Sequence, residues 1–330
     1  MTAARYDVIG VGNAIVDVIS AASENLLLKF ELEKGGMTLI DADRGEEIYA
    51  SMSNTSETCG GSAANTLAGI ASFGGKGAYI GKINDDALGR VFRDDLIKAG
   101  VDYKTQPGSG GSPTARCLIL VTPDAERTMQ TCLGVSVALG PDDIDEEAIA
   151  AAEITYLEGY LFDPPEAQKA FLKAAKAAHA ANRMVALSLS DAFCVNRHRE
   201  EFLNLLSGHV DILFANESEV TALFNVGNFE EAVRLTLGHC EIAALTRGPE
   251  GCVIVEGGAT HEIAAKAVSK VVDTTGAGDL FAAGFLYGLT HGEGLAKCGM
   301  LGAAAAAEVI SHYGARPQTS LASLLVESDE

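Results

Sequence analysis

A short segment with two glycines and an acid, residues 273–279 (Asp-Thr-Thr-Gly-Ala-Gly-Asp), carries the strongest chemical signal in the sequence. It lies between an extended segment and a long predicted helix, and the glycines let the backbone turn tightly there. The first N–H groups of a helix have no intrahelical partner, so with the helix dipole they form an anion hole that needs no Lys or Arg. Asp279 either caps this helix or acts as a general base toward an attacking hydroxyl. Because Thr274 and Thr275 are available for capping, we favour the base.

A second segment, residues 60–65 (Gly-Gly-Ser-Ala-Ala-Asn), begins a predicted helix with small residues that leave room for a ligand. Ser62 is a favourable N-cap residue for this helix. Asn65 follows about one turn later, so we expect Ser62 and Asn65 to share one helix face. Because a Gly-Gly pair before a serine-capped helix is common, the segment alone indicates only a helix start.

Two more polar segments come directly after predicted strands. Asn216 and Glu219 follow the strand at 211–214 and share a helix face at the i, i+3 spacing. Such a pair can hold a hydrated Mg²⁺ through water molecules, or it can simply cap the helix with first-turn acids. Residues 246–251 (Thr-Arg-Gly-Pro-Glu-Gly) follow another strand, and a hairpin turn is their default interpretation.

The N-terminal segment 10–19 contains one possible ligand-binding acid but no recognised nucleotide motif. Ile15 stands where a dinucleotide fingerprint needs its third glycine, and no helix follows. The whole sequence also lacks a Walker A loop and a GxSxG elbow. Asp17 interrupts an apolar stretch, where a carboxylate must be paired or hydrogen-bonded. It is therefore either an exposed residue of an alternating strand or an acceptor for a ligand's hydroxyls.

The charge and cysteine content exclude several classes of protein. The 330 residues include 24 Lys+Arg and 45 Asp+Glu, a net charge of −21, which predicts neither a nucleic-acid partner nor a membrane partner. The same charge repels ATP, so a nucleotide site needs local positive potential such as the helix start after Gly276. Seven cysteines without a CxxC motif predict thiols in a reducing compartment. We find no signal-peptide core and no apolar run that could span a bilayer, and expect a cytoplasmic protein.

The elements that must position these residues alternate regularly between strand and helix from about residue 150. This alternation predicts an α/β fold, with a largely parallel sheet covered by helices on both faces. Two long helices, predicted at 277–290 and 293–310, complete it. The N-terminal third contains shorter β pieces, including a hairpin of 115–121 with 128–132, that could form a small flap on the core.

Together and in this order, the segments resemble the ribokinase/PfkB family of small-molecule kinases over residues 7–317. Two signatures match: residues 60–65 with the downstream segment 81–89 (Gly-Lys-Ile-Asn-Asp-Asp-Ala-Leu-Gly), and residues 273–279. The resemblance implies ATP-dependent phosphoryl transfer with Mg²⁺. It also implies one ribokinase-like domain over residues 1–330, with a doubly wound core and a small β lid formed by parts of about 14–56 and 104–134.

The resemblance also implies roles for individual residues. On the catalytic side, Gly276, Ala277 and Gly278 form the anion hole, and Asp279 is the base. The nucleotide side comprises Asn216, Thr246, Gly248, Gly251, Gly276 and Gly278, with Glu219 as a water-mediated Mg²⁺ ligand. The residues that hold the acceptor's sugar hydroxyls are Asn13, Asp17, Gly61, Ser62 and Asn65.

Two further roles rest on the same resemblance. Arg127, on the lid hairpin, resembles an arginine that approaches the transferred phosphate in some members, although it is equally a hairpin charge facing solvent. Family members often bind a monovalent cation such as K⁺ near the anion hole, largely through carbonyl groups. The residues that align with that loop are Asp273, Thr275, His312 and Gly314.

The acceptor is the least determined part of the prediction. Residues 189–193 (Leu-Ser-Asp-Ala-Phe) resemble an adenosine-kinase segment whose phenylalanine stacks on the purine, although Phe193 could instead be a core aromatic at a strand end. Residues 158–165 also resemble adenosine kinases more than ribokinases. We therefore predict an adenosine kinase that gives AMP, as a monomer or homodimer. The alternative is a sugar kinase of the ribokinase, fructokinase or ketodeoxygluconate kinase type.

Two hypotheses from other classes of protein compete with a kinase. One is a noncatalytic sugar- or nucleoside-binding regulator on the same fold. Asp279 and the intact glycine pair argue against it, because a pure binder needs no base. The other is a dinucleotide oxidoreductase, which the missing third glycine after Gly12 disfavours.

Overall fold

The computed structural model describes residues 4–108, 111–124 and 126–327, and its strands form two sheets. The strands are β1 (Tyr6–Val11), β2 (Ile15–Ala21), β3 (Met37–Leu39), β4 (Ser56–Gly60), β5 (Gly77–Ile80), β6 (Val101–Tyr103), β7 (Ala115–Val121), β8 (Arg127–Cys132), β9 (Ala152–Glu158), β10 (Met184–Ser188), β11 (Ile212–Asn216), β12 (Ile242–Thr246), β13 (Cys252–Glu256) and β14 (Ala259–Ile263).

The α-helices connect these strands or cover the sheets. They are α1 (Glu24–Lys29), α2 (Ala42–Ser51), α3 (Ser62–Phe73), α4 (Ala87–Lys98), α5 (Glu146–Ala150), α6 (Pro165–Ala180), α7 (Ala192–Arg197), α8 (Arg199–His209), α9 (Glu217–Phe224), α10 (Phe229–Thr236), α11 (Ala277–Thr290), α12 (Leu295–Val309) and α13 (Leu324–Glu327). None of the helices in the described part of the chain has both the length and the apolarity that a membrane span requires.

The large sheet is doubly wound and mostly parallel, as the alternation of strands and helices predicts. Its nine strands run in the order β14-β13-β12-β11-β10-β9-β1-β5-β6, and only the pairings of β13 are antiparallel. Neighbouring residues of β1 point to opposite faces. Val8 therefore packs with the cluster beneath α3 and α11, and Ile9 with the cluster beneath α6 and α8, both almost fully buried. Burial on both faces explains why these strands are continuously apolar.

The small sheet has five strands in the order β3-β8-β7-β2-β4. The strand β2 alternates: Val16 and Val18 are fully buried in the cluster that includes Phe92 and Leu96 of α4. Asp17 points to the other face, toward the space between the two sheets. The hairpin of β7 and β8 agrees with the predicted one, and its pairing is antiparallel.

Several short elements have no counterpart in the sequence prediction. They are α1, β4, β6, α5, α7, α10, β14 and α13. Each has eight residues or fewer, a length at which periodicity gives little signal and tertiary contacts decide the conformation. Residues 268–272, predicted as extended, belong to no strand.

Candidate active site

A cleft of about 840 Å³ lies between the two sheets, at the carboxyl ends of central strands of the large one. Asn13 follows β1, Glu158 ends β9, Asn216 ends β11 and Thr246 ends β12, as expected for a ligand crevice in a doubly wound fold. The predicted site residues that line it are Asn13, Asp17, Gly61, Ser62, Asn65, Phe193, Asn216, Glu219, Thr246, Gly248, Thr275, Gly276, Ala277, Gly278 and Asp279. Arg127, Gly251, Asp273, His312 and Gly314 lie outside this lining.

The helix α11 begins with an N-terminus that no side chain caps. Its N-cap is Gly276, in the left-handed region with a φ of 80°, and a Cβ there would lie 2.7 Å from the Ala315 Cα. Both facts explain why this position needs glycine. At Gly278, by contrast, a Cβ would meet nothing within 4 Å, so the backbone faces open space. These features fit an anion such as a phosphate, which the N–H groups and the helix dipole favour.

The two threonines before this helix do not cap it, contrary to the expectation that they were available to do so. The Thr275 hydroxyl instead donates to Asp273 Oδ1 at 2.6 Å, and the Ala277 N–H donates to the Thr274 carbonyl at 3.2 Å. A side-chain cap would have filled the position that an anion needs. The helix start therefore remains open toward the cleft.

Asp279, the third residue of α11, is held by two residues of α3. The Ser62 hydroxyl donates to its Oδ1 at 2.7 Å, and the Asn65 Nδ2 donates to its Oδ2 at 3.0 Å. Burial raises the pKa of the Asp279 carboxyl, and these two hydrogen bonds act against that rise. The result is a carboxylate of fixed orientation at the cleft surface, beside the open helix start, as a general base requires.

The expectation that Ser62 caps α3 is wrong, although Ser62 and Asn65 do share a helix face. The N-cap is Gly61, with a φ of 93°, and Ser62 is the first helical residue. At Gly61 a Cβ would collide with the Asn13 carbonyl oxygen, so the glycine also allows a close approach of two backbones. The Ser62 hydroxyl is consequently directed across to α11 rather than along its own helix.

Glu158 is a buried acid in this site that the sequence analysis did not identify. Its carboxylate accepts hydrogen bonds from the Asn13 N–H, the Asn13 Nδ2 and the Ala63 N–H, and it is 1% exposed. It thereby joins the end of β1 to the start of α3. Burial raises its pKa to about 7. A charged residue directly after the mostly apolar stretch 154–157 (Ile-Thr-Tyr-Leu) was the available signal.

Asp17 faces the same part of the cleft from β2. Burial raises its pKa to about 6, although the positive charges of Arg127 and Arg316 oppose this rise. The alternative of an exposed strand residue does not hold, because the side chain is only partly accessible and lines the cleft. Its position suits a hydrogen-bond acceptor for a bound ligand.

Phe193 lies at the cleft on α7, with 76% of its surface exposed. The alternative of a core aromatic is therefore wrong. Tyr160, also in the lining, is 44% exposed. Exposed aromatic surface at the cleft is available for stacking on a flat ligand.

On the other side of the cleft, Asn216 and Glu219 form a complete capping box of α9. The Asn216 Oδ1 accepts from the Glu219 N–H at 2.9 Å, and the Glu219 carboxylate accepts from the Asn216 N–H and Nδ2 at 2.9 and 2.6 Å. Burial raises the pKa of Glu219 to about 7. The described residues include no group of three His, Cys, Asp or Glu that could hold a metal ion. A Mg²⁺ ion would therefore depend on water and phosphate oxygens, which is usual for this ion.

The segment 246–251 forms the predicted hairpin turn between β12 and β13. Thr246 and Gly248 face the cleft, and Gly248 has a φ of 55°. Gly251 has a φ of 89°, and a Cβ there would collide with the Ile263 carbonyl oxygen of β14. Its contribution in this structure is therefore to turn the chain rather than to line the cleft.

Arg127 links the small sheet to the loop that precedes the anion hole, where it forms an ion pair with Asp273. The alternative of a hairpin charge facing solvent is wrong, because only 15% of the Arg127 side chain is exposed. The Asp273 carboxylate also accepts from the Thr275 N–H, the Thr275 hydroxyl and the Gly314 N–H. Burial alone would raise the pKa of Asp273, but these hydrogen bonds and Arg127 together lower it.

The side chains predicted near a monovalent cation are thus engaged with protein groups. Four donors surround the Asp273 carboxylate, and His312 contacts Glu308 Oε2 at 3.3 Å and the Tyr313 carbonyl at 3.2 Å. A cation in this loop would therefore rely on backbone carbonyls.

Comparison with known proteins identifies related kinases. A family model described as pfkB family carbohydrate kinase matches residues 30–321. A crystal structure of adenosine kinase from Sinorhizobium meliloti is 48% identical, with a TM-score of 0.90, and the match covers 98% of this chain and all of that one. A probable sugar kinase from Rhizobium etli CFN 42 is also 48% identical, with a TM-score of 0.90 and 99% coverage of both chains. The adenosine kinase of Saccharomyces cerevisiae is 29% identical over 86% of this chain and 89% of its own length.

Proposed function

Because the chain belongs to the pfkB family of carbohydrate kinases, we propose that it transfers the γ-phosphate of ATP to the primary hydroxyl of adenosine, giving AMP and ADP. The observation that carries the proposal is the carboxylate of Asp279, held by Ser62 and Asn65 beside the open N-terminus of α11. A base and an anion hole side by side are the two parts that phosphoryl transfer to an alcohol needs.

The proposed reaction uses these two parts together. Asp279 takes the proton from the acceptor hydroxyl while the oxygen of that hydroxyl bonds to the γ-phosphorus. The bond between the γ-phosphorus and the β–γ bridging oxygen breaks, and ADP leaves with the electron pair of that bond. The N–H groups around Gly276 and Gly278 stabilise the charge on the transferred phosphoryl oxygens. Asp279 later returns its proton to solvent. Bound Mg²⁺ neutralises phosphate charge, and Glu219 and Asn216 would contact its water shell.

The adenosine part of the proposal rests on the acceptor side of the cleft. Asp17 offers a carboxylate that can accept from two vicinal hydroxyls of a ribose, and Asn13 is held in place by Glu158. Phe193 offers exposed aromatic surface for a purine. Relatives named adenosine kinase support this acceptor. The thiols of all seven cysteines are unbridged, which agrees with a cytoplasmic location for an ATP-using enzyme.

We further propose that the small sheet closes over the bound substrates as a lid of a single kinase domain. Arg127 on β8 would then approach the transferred phosphate, since it lies next to the loop before the anion hole. Its Nε is buried and has no hydrogen-bond partner among the described residues, so a movement of the lid would be needed to bring this donor to a phosphate oxygen. A requirement for K⁺ is a separate part of this proposal, and comparing turnover in K⁺ with turnover in tetramethylammonium salts tests it.

A substrate panel tests the proposed reaction. Wild-type protein with ATP and Mg²⁺ should release ADP with adenosine as acceptor, and calorimetry should show adenosine binding. ADP release with ribose or fructose but not adenosine would leave a kinase and contradict this acceptor. Absence of ADP release with every nucleoside and sugar tested would contradict the kinase reaction itself.

Phe193→Ala separates a purine from a plain sugar. It should weaken the binding of adenosine by about 1–3 kcal/mol, the range for bases stacked on protein aromatics. Thermal stability should change little, because the ring is exposed. Leu28→Ala is the matched control, since Leu28 is 74% exposed on α1 outside the cleft and should leave adenosine binding unchanged.

A further inference from the structure

Residues 314–316 contact three parts of the site: the loop before α11, the N-cap of α11, and α3. The Gly314 N–H donates to Asp273 Oδ2 at 3.0 Å, and Ala315 packs against Gly276 so closely that no Cβ fits between them. The Arg316 Nε donates to Asn65 Oδ1 at 3.3 Å. This segment therefore contacts both the helix start that would bind the phosphate and a residue that holds Asp279.

The contact of Arg316 with Asn65 determines which end of the amide faces Asp279. An asparagine amide has a donor end and an acceptor end, whereas a guanidinium group can only donate. With Arg316 on one side, Oδ1 must point toward it, and Nδ2 is then directed to Asp279 Oδ2 at 3.0 Å. With the amide reversed, Oδ1 would face the carboxylate, which cannot donate to it, and Nδ2 would face a cation.

We propose that Arg316 is a positioning residue for the transfer reaction, which holds the Asn65 amide in the orientation that donates to Asp279. The inference rests on the proposed role of Asp279 as the base. Arg316 lies outside the lining of the cleft, so it acts through Asn65 rather than by contact with substrate. Its Nη2 donates to the Cys59 Sγ at 2.9 Å, which holds the other end of the guanidinium in place.

Other charged or titratable groups also act on Asp279 and must be kept constant in a test. Besides Ser62 and Asn65 of α3, Asp17 of β2 interacts with Asp279 electrostatically. So do Tyr156 and Glu158 of β9 and Tyr160 beyond its end. Arg316 itself lowers the pKa of Asp17, so a direct effect on Asp17 has to be distinguished from an effect through Asn65.

A double-mutant cycle on the full-length protein makes this distinction. Arg316→Ala should lower kcat about tenfold, the lower end of the range for one hydrogen bond to a charged group, because the Asn65 side chain itself is retained. The KM for the acceptor should change little. It should also move the acid limb of the kcat profile to higher pH, because Asp279 loses a donor that favours its charged form. In the Asn65→Ala background, Arg316→Ala should change neither kcat nor the acid limb further.

Four outcomes would overturn the inference. The first two are an unchanged kcat in Arg316→Ala and an unchanged kcat in Asn65→Ala. The third is an effect of Arg316→Ala that persists in full without Asn65. The fourth is a rise in the KM for the acceptor at constant kcat, which would place the action at Asp17. Wild-type turnover and the Asp279→Asn variant test the proposed function separately. A failure of the proposed function can therefore be distinguished from a failure of the positioning role of Arg316.

Two controls keep the test valid if Arg316→Ala folds poorly. Arg316→Lys retains a cationic donor for Asn65 Oδ1 and should recover at least about a third of the wild-type kcat, whereas Arg316→Met, which has no donor, should not. Arg93→Ala removes an arginine on α4 that pairs with the exposed Asp94, and it should leave kcat and its pH profile unchanged. Equal kcat values for Arg316→Lys and Arg316→Met would contradict the positioning role.

Discussion

Two helices begin at the same cleft, and each carries an acid as its third residue: Glu219 on α9 and Asp279 on α11. In α9 the N-cap is Asn216, and its side chain and the Glu219 carboxylate satisfy each other's backbone N–H groups. In α11 the N-cap is Gly276, which has no side chain to reciprocate. Asp279 is instead held by Ser62 and Asn65 of another helix.

The difference shows that an acid at the third position of a helix can either close its own helix start or be held by another helix beside an open one. A reciprocal capping box closes the helix start and stabilises the fold. A glycine N-cap leaves the N–H groups unpartnered and exposes them to a ligand, while the acid is held across the cleft floor by residues far away in sequence. The residue at the N-cap, rather than the acid itself, therefore distinguishes the two helices.

The largest effect that would test this comparison is Asp279→Asn. We expect kcat to fall by about 10²–10⁴-fold, because the base is lost while the shape is retained. ATP binding, measured by calorimetry, should survive, since the change removes a negative charge beside the phosphate site. Near-normal turnover of this variant would show that Asp279, like Glu219, is not needed as a base.

Ser62→Ala should have the next largest effect. It removes the 2.7 Å hydrogen bond to Asp279 Oδ1, so kcat should fall by about 10–150-fold, the equivalent of 1.5–3 kcal/mol for a bond to a charged group. The acid limb of the rate profile should move to higher pH, because that bond acts against the raised pKa of Asp279. Steady-state rates between pH 5 and pH 9 would check it. A profile that keeps its wild-type shape would contradict the assigned role.

Asp17→Asn tests an acid of the cleft that belongs to a strand rather than a helix start. The folded-state pKa of about 6 exceeds the value near 3.9 expected in the unfolded chain. The stability that protonated Asp17 contributes is therefore lost as the pH rises from about 4 to about 6. The asparagine at position 17 does not titrate. Above pH 6 the free energy of unfolding of the variant should therefore exceed that of the wild type by about 1–3 kcal/mol. Urea denaturation should show no difference near pH 4. A difference that is independent of pH would contradict the burial of this charge.

Glu219→Gln should have the smallest effect, and it acts on the other helix start. The amide cannot accept from both Asn216 donors, so the free energy of unfolding should fall by about 1 kcal/mol, the usual size of a capping contribution. The Mg²⁺ concentration for half-maximal rate should rise a few-fold, with acceptor KM unchanged. If the Mg²⁺ titration is unaltered, Glu219 is a capping residue alone.

Local features of the site were predictable because they depend on neighbours in the chain. The glycine-rich start of α11 and the hairpin turn after β12 come from a few consecutive residues, and the regular α/β alternation comes from hydrophobic periodicity. The capping box of Asn216 and Glu219 also lies within four residues, and it agrees with one of the two interpretations of that pair. Short elements such as β4 and α7 were missed, because their conformation depends on packing.

What the sequence by itself determined is therefore the fold class and the chemical groups at each strand end and helix start. Only the tertiary structure brought Ser62 to Asp279 across 217 residues, and Arg127 to Asp273 across 146. It also directed the Ser62 hydroxyl away from its own helix and placed Glu158 between β1 and α3. Periodicity and propensity report local energies, whereas the partner of a polar side chain depends on which distant elements pack together. For that reason Asp279 was visible in the sequence as a candidate base, but the residues that hold it in place were not.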